Sequence, residues 1–133
     1  MKKRGLNPTA IAKPLARYSH GVAFGDWLVS SGQLGAELDG TIPDDVEAQC
    51  VLCFENLKAI LATAQMTFED VVRFNAFVTD RAYFPVYGKV RDRYVAGSDF
   101  ASTLVIVSGF TRPEFKVEVE ITAFRAGSAQ EFA

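Results

Sequence analysis

The sequence lacks the segments and the charge that would place it in a membrane or on nucleic acid. No apolar run approaches the roughly 20 residues that a membrane helix needs, and none follows the basic start Met1-Lys2-Lys3-Arg4. The formal net charge is -2 and the sequence pI is about 5.4, so no strong attraction to nucleic acid or anionic membrane is expected. We therefore expect a cytoplasmic protein that binds neither partner.

Histidine and cysteine, the usual zinc ligands, are scarce. The chain has one histidine, His20, and two cysteines, Cys50 and Cys53. Their C-x-x-C spacing occurs in redox and zinc sites. Both cysteines, however, lie on or beside the apolar face of a helix predicted over residues 46–64, where cysteine behaves as a small hydrophobic residue. Without further ligands, we expect no metal site.

What the chain does contain is a regular succession of strand and helix patterns in 133 residues, the length of one domain. The order β-β-α-β-α-β-β predicts an α+β fold with both helices on one face of a mixed sheet. Residues 1–14, which include two prolines, are expected to be largely irregular. The predicted elements are a hairpin turning at Gly25-Asp26, helices over 46–64 and 84–95, a capped turn at 67–70, and strands over 71–79, 103–107 and 115–124.

Apolar residues occupy both alternating sets of strand positions. Val105 and Val107 alternate with Leu104 and Ile106, although helices can cover only one face of the sheet. Identical neighbours covering the other face would remove a large exposed apolar patch. A homo-oligomer is therefore expected.

Several short motifs over residues 14–125, each weak alone, follow one another in a fixed order. They are Ala16-Arg17-Tyr18-Ser19-His20, Ser31-Gly32-Gln33, Glu55-Asn56-Leu57-Lys58-Ala59-Ile60-Leu61, Asp70-Val71-Val72, Val78-Thr79-Asp80 and Lys116-Val117-Glu118-Val119-Glu120. Together they resemble the reactive-intermediate deaminase family (Rid, YjgF-like or endoribonuclease L-PSP-like). The resemblance implies a chorismate-mutase-like fold, a homotrimer with clefts between subunits, and no metal or organic cofactor. It also implies hydrolysis of 2-imino acids, or their enamine tautomers, to 2-keto acids and ammonia.

The same resemblance assigns residues to the cleft. Glu118 matches a glutamate that positions or activates water, and Tyr18 matches a tyrosine that orients the substrate. Glu118 and Glu120 lie two apart on a predicted strand, so they share a face at about 7 Å; without the resemblance, they would be interpreted as a solvated strand face. The candidate catalytic residues are thus Glu118 and Tyr18, and the candidate ligand-binding residues are Ser31, Gly32, Phe84, Ser102 and Thr103.

Position 102 departs from the family, in which an arginine grips the substrate carboxylate. Ser102 can hydrogen-bond a carboxylate but has no charge, and losing a buried charged partner costs about 2–5 kcal/mol. A bulkier carboxylated or aromatic metabolite, such as 2-aminomuconate, is therefore expected rather than a small 2-imino acid. Whether another arginine enters the cleft stays open; those considered are Arg17, Arg91, Arg93 and Arg112.

Three functions compete. Hydrolytic deamination of an enamine or imine is the leading hypothesis, and the uncharged position 102 favours a non-catalytic ligand-binding or regulatory trimer as the alternative. RNA cleavage or translation inhibition, attributed to some family members, is disfavoured by the acidic balance of the chain and by the lack of a basic face studded with aromatics.

Overall fold

A seven-stranded mixed sheet carries two helices on one face in the computed structural model, which describes residues 2–125. Strand order is β1-β2-β3-β7-β5-β6, and β4 also pairs with β7. Only β5 and β6 run parallel; the other pairs are antiparallel. The strands are β1 (Lys3–Leu6), β2 (Gly21–Phe24), β3 (Trp27–Ser30), β4 (Gln33–Leu34), β5 (Val71–Val78), β6 (Ala101–Ile106) and β7 (Val117–Phe124); the helices are α1 (Val46–Thr63) and α2 (Phe84–Val95).

Local chemistry sets the ends of these elements. Asp45 caps α1, its carboxylate accepting a hydrogen bond from the Ala48 N–H at 3.0 Å. The β2–β3 hairpin turns at Gly25, whose φ of 57° is the left-handed conformation that glycine adopts without strain. These features match the predicted hairpin and helices, and the α+β prediction is confirmed.

The core lies between the helices and one face of the sheet. Along β7, Val117, Val119, Ile121 and Ala123 are buried, whereas the residues between them are only partly covered. This period of two directs alternate side chains to opposite faces. We call the face away from the helices the open face.

Two strand features differ from a simple reading of the sequence. Residues 3–6 form β1, which pairs with β2, inside the segment over residues 1–14 that was expected to be largely irregular and whose described residues, 2–14, are irregular outside this strand. The polar sequence of β1 carries little strand signal, and its pairing partner lies far along the chain. In β5, a bulge between Val71 and Arg73 puts Val71 on the buried side with Phe74, whereas simple alternation groups Val71 with Arg73 and is wrong at this point.

Within residues 2–125, neither helix combines the length and the apolarity that crossing a bilayer requires.

Candidate functional site

The open face of β7 presents two carboxylates. Glu118 and Glu120 alternate with the buried valines, and Glu120 accepts a hydrogen bond from Asn75 Nδ2 on β5 at 3.2 Å. Burial raises the pKa of Glu118, and the neighbouring charge of Glu120 raises it further. A carboxyl group of raised pKa is suited to take up and release protons near neutral pH.

Gly32 lies directly against Glu118. A Cβ added at Gly32 would stand 2.5 Å from Glu118 Oε2, closer than atoms can pack. Only glycine therefore leaves room for the carboxylate in this position, a close approach that the sequence motif did not specify.

A small pocket adjoins this pair, beneath the loop that carries Tyr18. It has a volume of about 40 Å³, and its lining includes Tyr18 and Gly32. Tyr18 is 45% exposed, and its hydroxyl accepts a hydrogen bond from the Leu15 N–H at 3.3 Å, so the phenolic proton stays available for donation. Tyr18 and Gly32 thus line one pocket, and Glu118, which is not part of the lining, packs against Gly32.

A buried polar chain holds this arrangement. His20 donates from Nε2 to the Ala12 carbonyl at 2.7 Å, so its Nδ1 accepts from Gln33 Nε2 at 3.2 Å. Gln33 Oε1 in turn accepts from Asn56 Nδ2 on α1 at 3.3 Å. The chain ties the Tyr18 loop to the segment with Gly32. Sequence reasoning missed it, although all three side chains fall within the quoted motifs.

The other predicted binding residues are distributed differently. Ser31 Oγ donates to the Ser19 carbonyl at 2.7 Å, which fixes the Tyr18 loop. Phe84 begins α2, is 52% exposed and is not among the residues that line the pocket in the described part of the chain. Strand register sets Ser102 beside Phe74 on the helix side and Thr103 beside Asn75 on the open face. Ser102 and Thr103 therefore point in opposite directions.

An arginine that the sequence analysis did not consider stands next to Thr103. Arg73, on β5, donates from its guanidinium to Thr103 Oγ1 at 2.9 Å. The register of two strands separated by 30 positions places it there, so the local sequence carried no signal. Three of the arginines considered form ion pairs instead: Arg91 with Asp92, Arg93 with Glu47 and Arg112 with Glu114.

The cysteines are buried in α1. Burial is the main cause that raises the pKa of Cys50 to about 12, and burial also raises the pKa of Cys53 well above its usual value. Both thiols therefore stay protonated and poorly nucleophilic. Across residues 2–125, no cluster of three or more histidine, cysteine, aspartate or glutamate side chains could hold a metal ion.

Comparisons with known proteins agree with this architecture. Over 64 residues, the chain is 45% identical to RutC family protein YjgH of Escherichia coli K12, a match that covers 48% of this chain and about half (49%) of that protein. It is 31% identical over 114 residues to the E. coli K12 protein named "Putative reactive intermediate deaminase TdcF", covering 82% of this chain and 87% of that one. The crystal structure of E. coli TdcF with bound serine superposes with a TM-score of 0.86 at 26% identity, covering 92% of this chain and 99% of that one.

The family model described as Endoribonuclease L-PSP matches residues 9–125, which include every strand and helix except β1. A match of this extent, together with the likeness in fold, confirms the family that the motifs indicated. The chain therefore belongs to the Endoribonuclease L-PSP family, the Rid or YjgF-like family.

Proposed function

We propose that the protein hydrolyses an enamine or imine of a small metabolite to a carbonyl compound and ammonia, in a cleft between subunits of a homotrimer. The observation that carries this proposal is the carboxyl group of Glu118. It is held against Gly32, next to the Tyr18 pocket, in surroundings that raise its pKa.

Glu118 accounts for the proton transfers of the reaction. The reacting species is the iminium ion: an imine takes a proton on nitrogen, and an enamine takes one on carbon from the Tyr18 hydroxyl, which solvent reprotonates. As carboxylate, Glu118 takes a proton from water while the water oxygen bonds to the iminium carbon, which gives the neutral carbinolamine. It returns that proton to the nitrogen and then takes the proton of the carbinolamine hydroxyl as the C–N bond breaks, so that the carbonyl compound and ammonia form. The proton left on Glu118 passes to the ammonia, which leaves as ammonium.

The size of the pocket supports a cleft completed by a second subunit. Its volume of about 40 Å³ in one chain is far below the roughly 300–1,000 Å³ of small-molecule sites. Large apolar side chains are also exposed on the open face, among them Trp27, Val29 and Val105. Subunits packed through this face would bury these side chains and add a wall to the site.

A relative and the charges of the site support a carboxylated ligand. The E. coli TdcF structure holds serine, a small amino acid with a carboxylate, and matches 92% of this chain. Ser102 supplies no cation for a carboxylate next to the reacting carbon. We therefore propose a carboxylated or aromatic substrate larger than 2-iminobutanoate, with Tyr18 orienting it, Ser31, Gly32 and Thr103 supplying hydrogen bonds, and Phe84 an aromatic wall. Ser102 points to the other face of its strand, so its hydrogen bond would serve the site shared with a neighbouring subunit.

An amino-acid oxidase coupled to keto-acid detection tests the reaction with imines of increasing size. We expect turnover of larger imines, slow turnover of 2-iminobutanoate, and a gain with 2-iminobutanoate in Ser102→Arg. Rapid turnover of 2-iminobutanoate by the wild-type protein would contradict the role given to position 102. No turnover of any imine, with ligand binding unaffected in Glu118→Ala, would contradict the enzymatic proposal.

A non-catalytic ligand-binding or regulatory trimer is the alternative, which the uncharged Ser102 favours. It predicts saturable binding of a metabolite without turnover. The description of the family suggests RNA cleavage, but a net charge of -2 does not favour binding to RNA. Incubation with labelled RNA, with Glu118→Gln as the matched control, tests RNA cleavage separately from imine hydrolysis.

A further inference from the structure

The N-terminal part of the chain carries positive charge without compensation. Five lysines and arginines occur before the first acidic residue, Asp26. Elsewhere, most cations are paired within 3.6 Å of a carboxylate, and those pairs involve Arg91, Arg93, Arg112, Lys116 and Arg125. Within residues 2–125, no N-terminal lysine or arginine has such a partner. The positive charges are therefore available to an external anion.

Three of these cations converge on one groove, which we call the cationic groove. It lies between β1 and the Tyr18 loop, has a volume of about 680 Å³, and includes Lys3, Lys13 and Arg17 in its lining. The sequence left open whether Arg17 enters the cleft, although neighbours in an extended chain point opposite ways. The loop is bent here, with the Tyr18 N–H donating to the Ala16 carbonyl at 3.0 Å, so Arg17 and Tyr18 border the same groove.

The cationic groove adjoins the candidate site. Lys13, Pro14 and Tyr18 line both the groove and the small pocket that reaches Gly32. A ligand passing Tyr18 would thus have one end among cations and the other near the Glu118 carboxylate. Opposite charges at the two ends orient an anionic ligand, since Glu118 and Glu120 repel a carboxylate that the groove attracts.

We propose that the cationic groove binds a substrate carboxylate, with Arg17 and Lys13 as its ligands, in place of the charge absent from position 102. The proposal rests on the proposed function for the reacting end of the ligand. Gly32, against which Glu118 packs, lines the small pocket but not the groove, so a carboxylate held in the groove lies several bonds from an imine carbon at Glu118. This arrangement selects an enamine or imine acid with a remote carboxylate over a short 2-imino acid.

Binding of hexanoate tests the groove without requiring turnover. The uncharged analogue hexanamide is the matched probe, and each is titrated into the oligomeric wild-type protein while amide shifts are followed by NMR. We expect hexanoate to bind and hexanamide to bind at least about tenfold more weakly, as loss of a charge-assisted contact implies. Raising the salt to 500 mM is expected to weaken hexanoate binding.

Variants in which glutamine replaces a lysine or arginine, and so removes its positive charge, locate the binding site of hexanoate. Lys13→Gln/Arg17→Gln is expected to raise the Kd for hexanoate about tenfold or more. Lys58→Gln and Lys89→Gln, which remove exposed lysines from α1 and α2, are expected to leave it unchanged. Equal binding of hexanoate and hexanamide, wild-type affinity in the double variant, or equal losses in the controls would overturn the proposal.

The imine assay separates this inference from the proposed function. Suppose that imines with and without a carboxylate are turned over at the same rate, and that wild type and double variant do not differ. This result would leave the deaminase proposal standing and refute the groove. Charge-dependent hexanoate binding without turnover of any imine would support the groove and refute the catalytic part of the proposed function.

Discussion

Gly32 and Gly35 lie close together in the chain, but a methyl group would meet very different atoms at the two positions. At Gly32 it would meet the carboxylate end of Glu118; at Gly35 it would stand 2.6 Å from the backbone Cα and O of Gln49. A side-chain end can move aside, whereas helix backbone cannot. The first glycine therefore positions a functional group, and the second permits strand and helix to pack.

Gly32→Ala is expected to displace the Glu118 carboxylate with little loss of stability. Imine turnover should fall at least about tenfold, as misplacement of a catalytic group implies, while the free energy of unfolding changes by less than about 1 kcal/mol. Gly35→Ala is the matched control and should lower that free energy by about 1–3 kcal/mol through overpacking. Urea denaturation and the oxidase-coupled assay measure the two effects. Full activity in a folded Gly32→Ala protein contradicts the arrangement.

Glu118 should lower stability while it supports activity. Its pKa is raised, chiefly by burial and also by Glu120, so the folded state holds this proton to a higher pH than the unfolded state. The free energy of unfolding therefore falls as pH rises from the unfolded pKa through the folded one. Glu118→Gln should keep or raise the Tm at pH 7 while turnover falls about 10²–10⁴-fold. A lower Tm at pH 7 than wild type would argue against this linkage.

The pH profile of turnover gives a second measure of Glu118. The base must be ionised, so activity should decline as pH falls through its raised pKa. Glu120→Gln removes a neighbouring negative charge, so this acid limb should move to lower pH. Glu37→Gln, an exposed change in the loop before α1, is the control. An unchanged limb in Glu120→Gln would show that the two carboxylates do not interact.

Among the elements, the start of α1 is held to the chain entering β7 by a buried polar side chain, Gln49. Gln49 is fully buried, donates to the carbonyls of Pro43 and Glu114 at 2.8 and 2.9 Å, and accepts from the Lys116 N–H at 2.9 Å. These bonds join the start of the helix to the loop before it and to the chain entering β7. Burial without partners would be costly, so the side chain and its three partners depend on one another.

Gln49→Ala should therefore destabilise the fold more than its size suggests. Leaving the three backbone groups unpaired is expected to cost about 3 kcal/mol in the free energy of unfolding. Lys58→Ala, on the exposed side of the same helix, should change it by no more than about 0.5 kcal/mol. Urea denaturation compares the two variants, and similar values for both would refute the role of Gln49.

For the whole molecule, the decisive feature is the uncovered face of the sheet. Val105, at the sheet edge on β6, is 45% exposed in one chain, and Trp27 is 41% exposed. The proposed trimer would bury such side chains and complete the ligand site, so assembly and activity should be lost together.

Val105→Asp should dissociate the trimer. Light scattering during gel filtration is expected to give three times the 14.6 kDa chain mass for the wild type and a smaller mass for the variant, with imine turnover reduced at least about tenfold. Leu38→Asp, a change at a 64% exposed loop position, should stay trimeric and active. A monomeric wild type would contradict the interface cleft.

The sequence alone determined the parts of the molecule that depend on neighbours along the chain. Helix α2 was expected over 84–95 and runs over Phe84–Val95, because apolar spacing and end signals are local. The hairpin at Gly25-Asp26 and the capped turn at 67–70 follow for the same reason. Ordered motifs further indicated the family and nominated Tyr18, Gly32 and Glu118.

Only the tertiary structure decided what these residues touch. The bond from Asn56 to Gln33 spans 23 positions, and that from Arg73 to Thr103 spans 30. Ser102 and Thr103 lie on opposite faces because strand register, set by pairing with β5, assigns each side chain to a face. The cationic groove likewise exists because β1 and a bent loop bring separate charges together. Contacts between distant positions depend on packing of the whole chain, which no local pattern records.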